Sequence, residues 1–234
     1  MDRTRDGEIM GEAKRESTGW HETSHGIGVW TRRMREPLYA VIHRVPDRDS
    51  PGLLHIAGKR LIERQIDWLL MCGCDGVVVE TSEDAGGRAI ARWVDAHHGD
   101  GSDVLVVSTA APARLGPREV ARRGGIGAAR SVLAIPADFL GNADLSCMAT
   151  VRNGYGVVAF FEPPPALART FGGSTVRLVR APIGTGFRGQ PTAARGAGWG
   201  ARVQSAAQAA EMSAAVWRGE VPGISGKWDV MRVA

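Results

Sequence analysis

Short aliphatic runs, each too brief for a helix, alternate along this chain with stretches of helical period. Residues 38–42, 76–80, 104–107 and 132–135 are nearly continuous in Ala, Val, Leu and Ile. Such runs suit strands buried on both faces, the pattern of a mostly parallel sheet. Between the first two, Leu61, Ile62, Ile66, Leu69 and Leu70 recur at helical spacing, with Glu63, Arg64 and Asp67 between them. That predicts an amphipathic helix over 59–71, stopped by Gly73. A second helix is expected over 83–97, with Ile90, Trp93 and Val94 on its apolar face, and a third starting near Ala128. Strand and helix in alternation predict an α/β fold, Rossmann-like, with a parallel or mixed sheet covered on both faces. In such a sheet the carboxyl ends of the strands form the edge where ligands bind.

The later half is less regular. Residues 156–161 and 176–179 read as strands, joined by an extended Glu162-Pro163-Pro164-Pro165 connection. Residues 184–200, rich in Gly, Ala, Pro and Arg, read as loop, and 201–217 as a helix with an alanine-rich face. Residues 1–37 are polar and turn-rich, an N-terminal extension or disordered tail, leaving 38–234 as a single domain. No apolar signal region or membrane-length run occurs, so a cytoplasmic protein without membrane association is expected.

Charge and cysteine content exclude several classes. A net charge of +4 spread over 234 residues is a weak nucleic-acid footprint, and no recognition module accompanies it. Cys72-Gly73-Cys74 lacks the second pair that a zinc site needs, and reads as two ordinary thiols at a helix end. His21-Glu22-Thr23-Ser24-His25 matches the zincin pattern, but Gly26 and Gly28 would end the helix at its second ligand. It reads as a chance match. His55, His97 and His98 are assigned no catalysis.

Three places carry candidate chemistry. Asp138 follows the strand at 132–135, where a carboxylate can hold a hard cation or serve as a turn or capping residue. Asp229, in Lys227-Trp228-Asp229-Val230, would complete a two-carboxylate clamp with it. Gly124-Gly125-Ile126-Gly127 before a helix would either present backbone N–H groups to a phosphate or base, or make a plain turn. It has neither P-loop nor dinucleotide-fingerprint spacing.

These residues carry a resemblance. The segment from Pro51 to Leu69, with Ala57-Gly58-Lys59-Arg60-Leu61-Ile62 at its centre, resembles the first-domain signature of sugar-1-phosphate nucleotidyltransferases, of the mannose-1-phosphate guanylyltransferase and glucose-1-phosphate thymidylyltransferase kind. Gly124-Gly125-Ile126-Gly127-Ala128 resembles that family's "GTAGA" turn, and Ile135-Pro136-Ala137-Asp138 its "NGD" strand end. Trp228-Asp229-Val230 resembles the late "W-x-D-[IV]" element, and Glu162-Pro163 its sugar-contacting "EKP". The resemblance implies transfer of a nucleoside monophosphate from a nucleoside triphosphate to a sugar-1-phosphate, with release of pyrophosphate. It implies Mg2+ held by Asp138 and Asp229, and nucleotide or sugar contacts at Gly124, Gly127 and Glu162.

Two departures go with it. The glycine-rich loop that follows the first strand in the family is replaced by His43-Arg44-Val45-Pro46-Asp47-Arg48-Asp49-Ser50, and the family's catalytic lysine falls at Pro51. Arg44 or Arg48 would have to supply the missing cation, although a guanidinium and an ammonium are not interchangeable. The alternative is a catalytically inactive relative that binds nucleotide or nucleotide sugar, or acts as a regulatory or partner subunit in a homo- or hetero-oligomer.

Overall fold

The computed structural model describes residues 37–45, 50–99, 102–110, 115–126, 131–145, 148, 156–180 and 192–224. Asp229, Gly127, Arg48, the zincin-like segment and nearly all of the expected N-terminal extension lie outside these residues.

The apolar runs form the centre of a seven-stranded mixed sheet. Strands β1 (Leu38–His43), β4 (Gly76–Ser82), β5 (Val104–Thr109) and β6 (Ser131–Pro136) lie parallel, in the order β6-β1-β4-β5. Beyond β6 the sheet continues through β9 (Ser174–Arg180), antiparallel to it, then β8 (Gly156–Phe161) and β10 (Thr192–Arg195). Two small ribbons complete the strands, β2 (His55–Ile56) with β3 (Lys59–Arg60) and β7 (Phe139–Asp144) with β11 (Ala197–Arg202).

Alternation along each strand decides which helix covers which face. Ala40, Ile42, Val77, Val79, Leu133 and Ile135 pack beneath α1 (Leu61–Met71) and α2 (Ala85–His98). Their alternates Val41, Val78, Val107 and Val132 pack against Val120 and Ala121 of α3 (Pro117–Arg123). A further apolar cluster joins α4 (Ala206–Trp217), through Ala209, Met212 and Val216, to Ile56, Leu140 and Trp199. The expected mixed sheet with helices on both faces is the architecture found.

Local signals explain the helix ends. Gly73, at φ 81°, lets the chain leave α1 through the left-handed region, as its position predicts. Asp84 caps α2 by accepting from Gly87 N at 2.7 Å.

Two expectations need revision. Residues 192–200, read as loop, form β10 and most of β11, which runs on to Arg202 through the start of the expected helix, and α4 begins at Ala206 rather than 201. Ala197-Gly198-Trp199-Gly200 lacks β-branched residues, but it pairs with β7, and tertiary pairing overrides weak propensity. The described helix near the Gly124 turn precedes it: α3 ends at Arg123 and Gly124 caps its C-terminus. The helix start expected near Ala128 lies outside the described residues.

Candidate functional site

The carboxyl ends of β1, β4, β5 and β6 form one edge, and polar side chains gather there. His43 and Glu80 follow Val41 and Val78 on the face turned to α3, and Thr109 follows Val107 on the same face. Glu80 is buried and accepts at both oxygens. His43 Nδ1 lies 2.7 Å from Oε2, and Thr109 Oγ1 donates to Oε1 at 3.2 Å. The Arg44 Nε stands 3.9 Å from Oε1, so a guanidinium shares this carboxylate. Beside them Thr81 and Ser108 pair their hydroxyls at 3.2 Å. His43 Nε2 is enclosed without a hydrogen-bond partner among the described residues.

Asp138 stands next to this group, in the turn between β6 and β7. The turn is fixed to β1 by Ala137 N donating to His43 O at 2.6 Å. It is fixed to α1 by the buried Gln65, whose Nε2 donates to Pro136 O at 3.1 Å and Phe139 O at 2.7 Å. Its third attachment is Val203 N, which donates to Asp138 O at 2.8 Å. The Asp138 side chain is completely buried. Its Oδ2 accepts from Arg202 Nε at 2.9 Å and Gln204 Nε2 at 2.8 Å, and Arg202 Nη2 stands 2.8 Å away as an ion-pair contact. Its Oδ1 is enclosed and has no partner among the described residues.

This arrangement bears on the magnesium that the resemblance implies. At an effective dielectric near 20, a dication about 4 Å from a guanidinium is repelled by about 8 kcal/mol. Arg202 therefore cancels much of the attraction that Asp138 would offer a cation. Among the described residues no three His, Cys, Asp or Glu side chains gather to hold a metal ion. With Arg202 on its Oδ2, Asp138 by itself does not fit a divalent ion, and Asp229, the second carboxylate expected, lies outside the described residues.

The other sequence candidates divide. Glu162 follows β8, which runs in the same direction as β6, so it reaches the same edge two strands from Asp138. Its carbonyl accepts from Gly200 N at 2.9 Å, which brings β11 across this edge toward Arg202. Asp138, Arg44 and Glu162 thus share an edge. Gly124 does not join them. Its N–H is spent on Val120 O at 3.0 Å, and a Cβ there would press on Val78 midway along β4.

Sequence reasoning missed His43, Glu80, Arg202 and Gln204 as site residues. Two signals were present. Glu80 is a charge closing an otherwise aliphatic strand. Trp199, Ala201 and Val203 alternate as buried residues around Arg202, the period of a strand rather than a helix.

No family model matches the chain, and no curated protein matches it. Solved structures do. HddC from Yersinia pseudotuberculosis superposes with TM-score 0.57 at 11% identity, covering 76% of this chain and 98% of that one. HddC from the same source complexed with GMP-PN gives TM-score 0.55 at 12% identity over 76% and 98%. A putative glucose-1-phosphate thymidylyltransferase from Bacillus anthracis in complex with a sucrose gives 0.51 at 10% identity over 76% and 94%. At these identities the likeness speaks to architecture: the chain has the mixed α/β fold of these structures.

Proposed function

We propose that this chain is a nucleotidyltransferase-like protein whose carboxyl edge binds a nucleoside triphosphate or a nucleotide sugar. One arrangement carries the reading. Two guanidinium groups, Arg44 after β1 and Arg202 at the end of β11, are each held beside a buried carboxylate near the ends of the parallel strands β4 and β6, which flank β1. Fixed guanidinium groups on a ligand-binding edge suit phosphate, whose oxygens match their planar forks. The GMP-PN complex of a structure with like fold adds support for the ligand class.

The reaction proposed with this binding is transfer of a nucleoside monophosphate to a sugar-1-phosphate. An oxygen of the sugar phosphate bonds to the α-phosphorus, the bond from α-phosphorus to the bridging oxygen breaks, and pyrophosphate leaves. Arg44 and Arg202 would orient the phosphates and offset the charge developing on the leaving group. Glu162 would accept from a sugar hydroxyl. A second reading, a relative that binds without transferring or serves a partner subunit, rests on Pro51 standing where the family's lysine falls.

Calorimetric titration with each common nucleoside triphosphate and a set of nucleotide sugars tests the reading, and saturable binding by at least one is expected. Failure of every ligand to bind overturns it. Pyrophosphate release with a panel of sugar-1-phosphates separates the two readings: turnover supports transfer, and binding with no turnover across the panel supports the second.

A further inference from the structure

The carboxylate of Asp138 is held from several directions and relies on one cation. The turn that carries it is tied to β1, α1 and the residue after β11 by the backbone and Gln65 bonds described above. Arg202 donates one hydrogen bond to Oδ2 through Nε and adds an ion-pair contact from Nη2 at 2.8 Å, and Gln204 donates the other hydrogen bond. A buried carboxylate needs a compensating charge, and Arg202 is the one bonded to it. The pair is asymmetric. Asp138 is wholly enclosed, while the Arg202 side chain is 41% exposed. Its contacts with Asp138 are a hydrogen bond from Nε and an ion-pair approach of Nη2, so Nη1 is not spent on the carboxylate.

We propose that Arg202 supplies the positive charge that a divalent cation would otherwise bring to this edge, and that phosphate binding here is independent of metal. The inference rests on the nucleotide-binding reading above and gives that site its means of recognising phosphate. The ligand group is the diphosphate or triphosphate of a nucleotide, placed against the outer side of the guanidinium. Asp138 is then a positioning residue that acts through Arg202. Gln204 restrains the carboxylate, so the guanidinium is oriented before ligand arrives. An arginine suits the task because it stays charged at every working pH and presents a rigid fork. A dication entering beside it would meet like charge and a carboxylate whose Oδ2 is already occupied.

The experiment uses the full chain and nucleoside triphosphates as probes, each titrated calorimetrically in excess EDTA and again in excess magnesium, with the matching nucleoside as control. Affinity for the triphosphate is expected to be undiminished in EDTA, and the nucleoside to bind about tenfold more weakly or worse. Arg202→Gln is expected to reduce triphosphate affinity about tenfold or more while leaving nucleoside affinity unchanged, a split that a merely structural role would not produce. Because that variant strands a buried carboxylate, the double variant Arg202→Gln/Asp138→Asn removes both charges and should show the same selective loss. Binding that requires magnesium overturns the inference and leaves the nucleotide-binding reading intact. Equal affinity for nucleoside and triphosphate also overturns it alone. No binding in either buffer overturns both.

Discussion

Nδ1 of His43 lies 2.7 Å from Oε2 of Glu80, joining the ends of two neighbouring strands at the edge assigned to ligand. Glu80 also accepts from Thr109 on the next strand, so a single buried carboxylate links β1, β4 and β5. Glu80→Ala would leave the His43 nitrogen without that partner, at about 1–3 kcal/mol if water cannot reach it, while the Thr109 hydroxyl keeps the Thr81 carbonyl at 3.3 Å. Glu80→Gln keeps one acceptor oxygen and should cost less than half as much. Urea unfolding of the two variants measures the difference. Equal losses would mean that the carboxylate contributes by packing and not by its hydrogen bonds.

The two thiols after α1 give a pH dependence. Burial, with a smaller contribution from the Asp144 charge, pushes the Cys72 thiol from its ordinary value near 9 up to about 12. Burial raises Cys74 as well, with Cys72 and Asp75 adding to it. The folded state holds these protons more tightly than the unfolded one. Below pH 9 the thiols therefore have no effect on the pH dependence of stability. Above it the unfolded chain releases protons that the folded chain keeps, and stability falls by about 1.4 kcal/mol per pH unit per thiol. Unfolding curves of Cys147→Ser, which removes the third cysteine of the sequence, between pH 8 and about pH 11 should show the fall, and Cys72→Ala/Cys74→Ala in that background should flatten it. In the same background native thiols should resist alkylation at pH 8 and react once unfolded.

The central strands were legible because they are buried on both faces and therefore continuously aliphatic. Val77, Val78 and Val79 need no context to read as a strand. Residues 197–202 did not read so, since Gly198, Gly200 and Ala201 favour no strand and their order comes from pairing with β7. The site divides in the same way. Asp138 is placed by its own strand, so position alone singled it out. Arg202 and Gln204 reach it from 64 and 66 residues away. Nothing local in the sequence reports a contact made across the β7–β11 ribbon. Glu80 went unnoticed for a related reason. A charge closing an aliphatic strand marks the position, but its role shows only when His43 and Thr109 are seen to face it.

At the start of α2, a substitution that ordinarily stabilises a helix should do the reverse. Alanine is favoured over glycine in helix interiors by about 1 kcal/mol. Gly87, however, lies against the backbone of Ser82, and a Cβ there would overlap the Ser82 carbonyl. Its N–H also donates to Asp84, the helix cap. Gly87→Ala must displace the first turn of α2 from β4 and should cost about 2 kcal/mol. Asp84→Ala, which removes the cap without a clash, should cost about 1 kcal/mol. Thermal unfolding of both variants ranks them. A neutral or stabilising Gly87→Ala would show that helix and strand can separate at this point without penalty.

The Asp138–Arg202 pair predicts an unequal response to losing either partner. Arg202→Gln leaves a fully buried carboxylate with Gln204 and the new amide as its polar neighbours, and unpaired buried charges cost about 3–5 kcal/mol. Asp138→Asn removes the buried charge and leaves a guanidinium that is partly in water, so its cost should be nearer 1 kcal/mol. The double variant buries no charge. It should lie close to Asp138→Asn and well above Arg202→Gln in stability, so the second substitution rescues the first. Urea unfolding of the three variants and the parent completes a double-mutant cycle that isolates the coupling. If the two single losses are equal and simply add, the carboxylate is solvated in solution, and Arg202 is not the charge that keeps it buried.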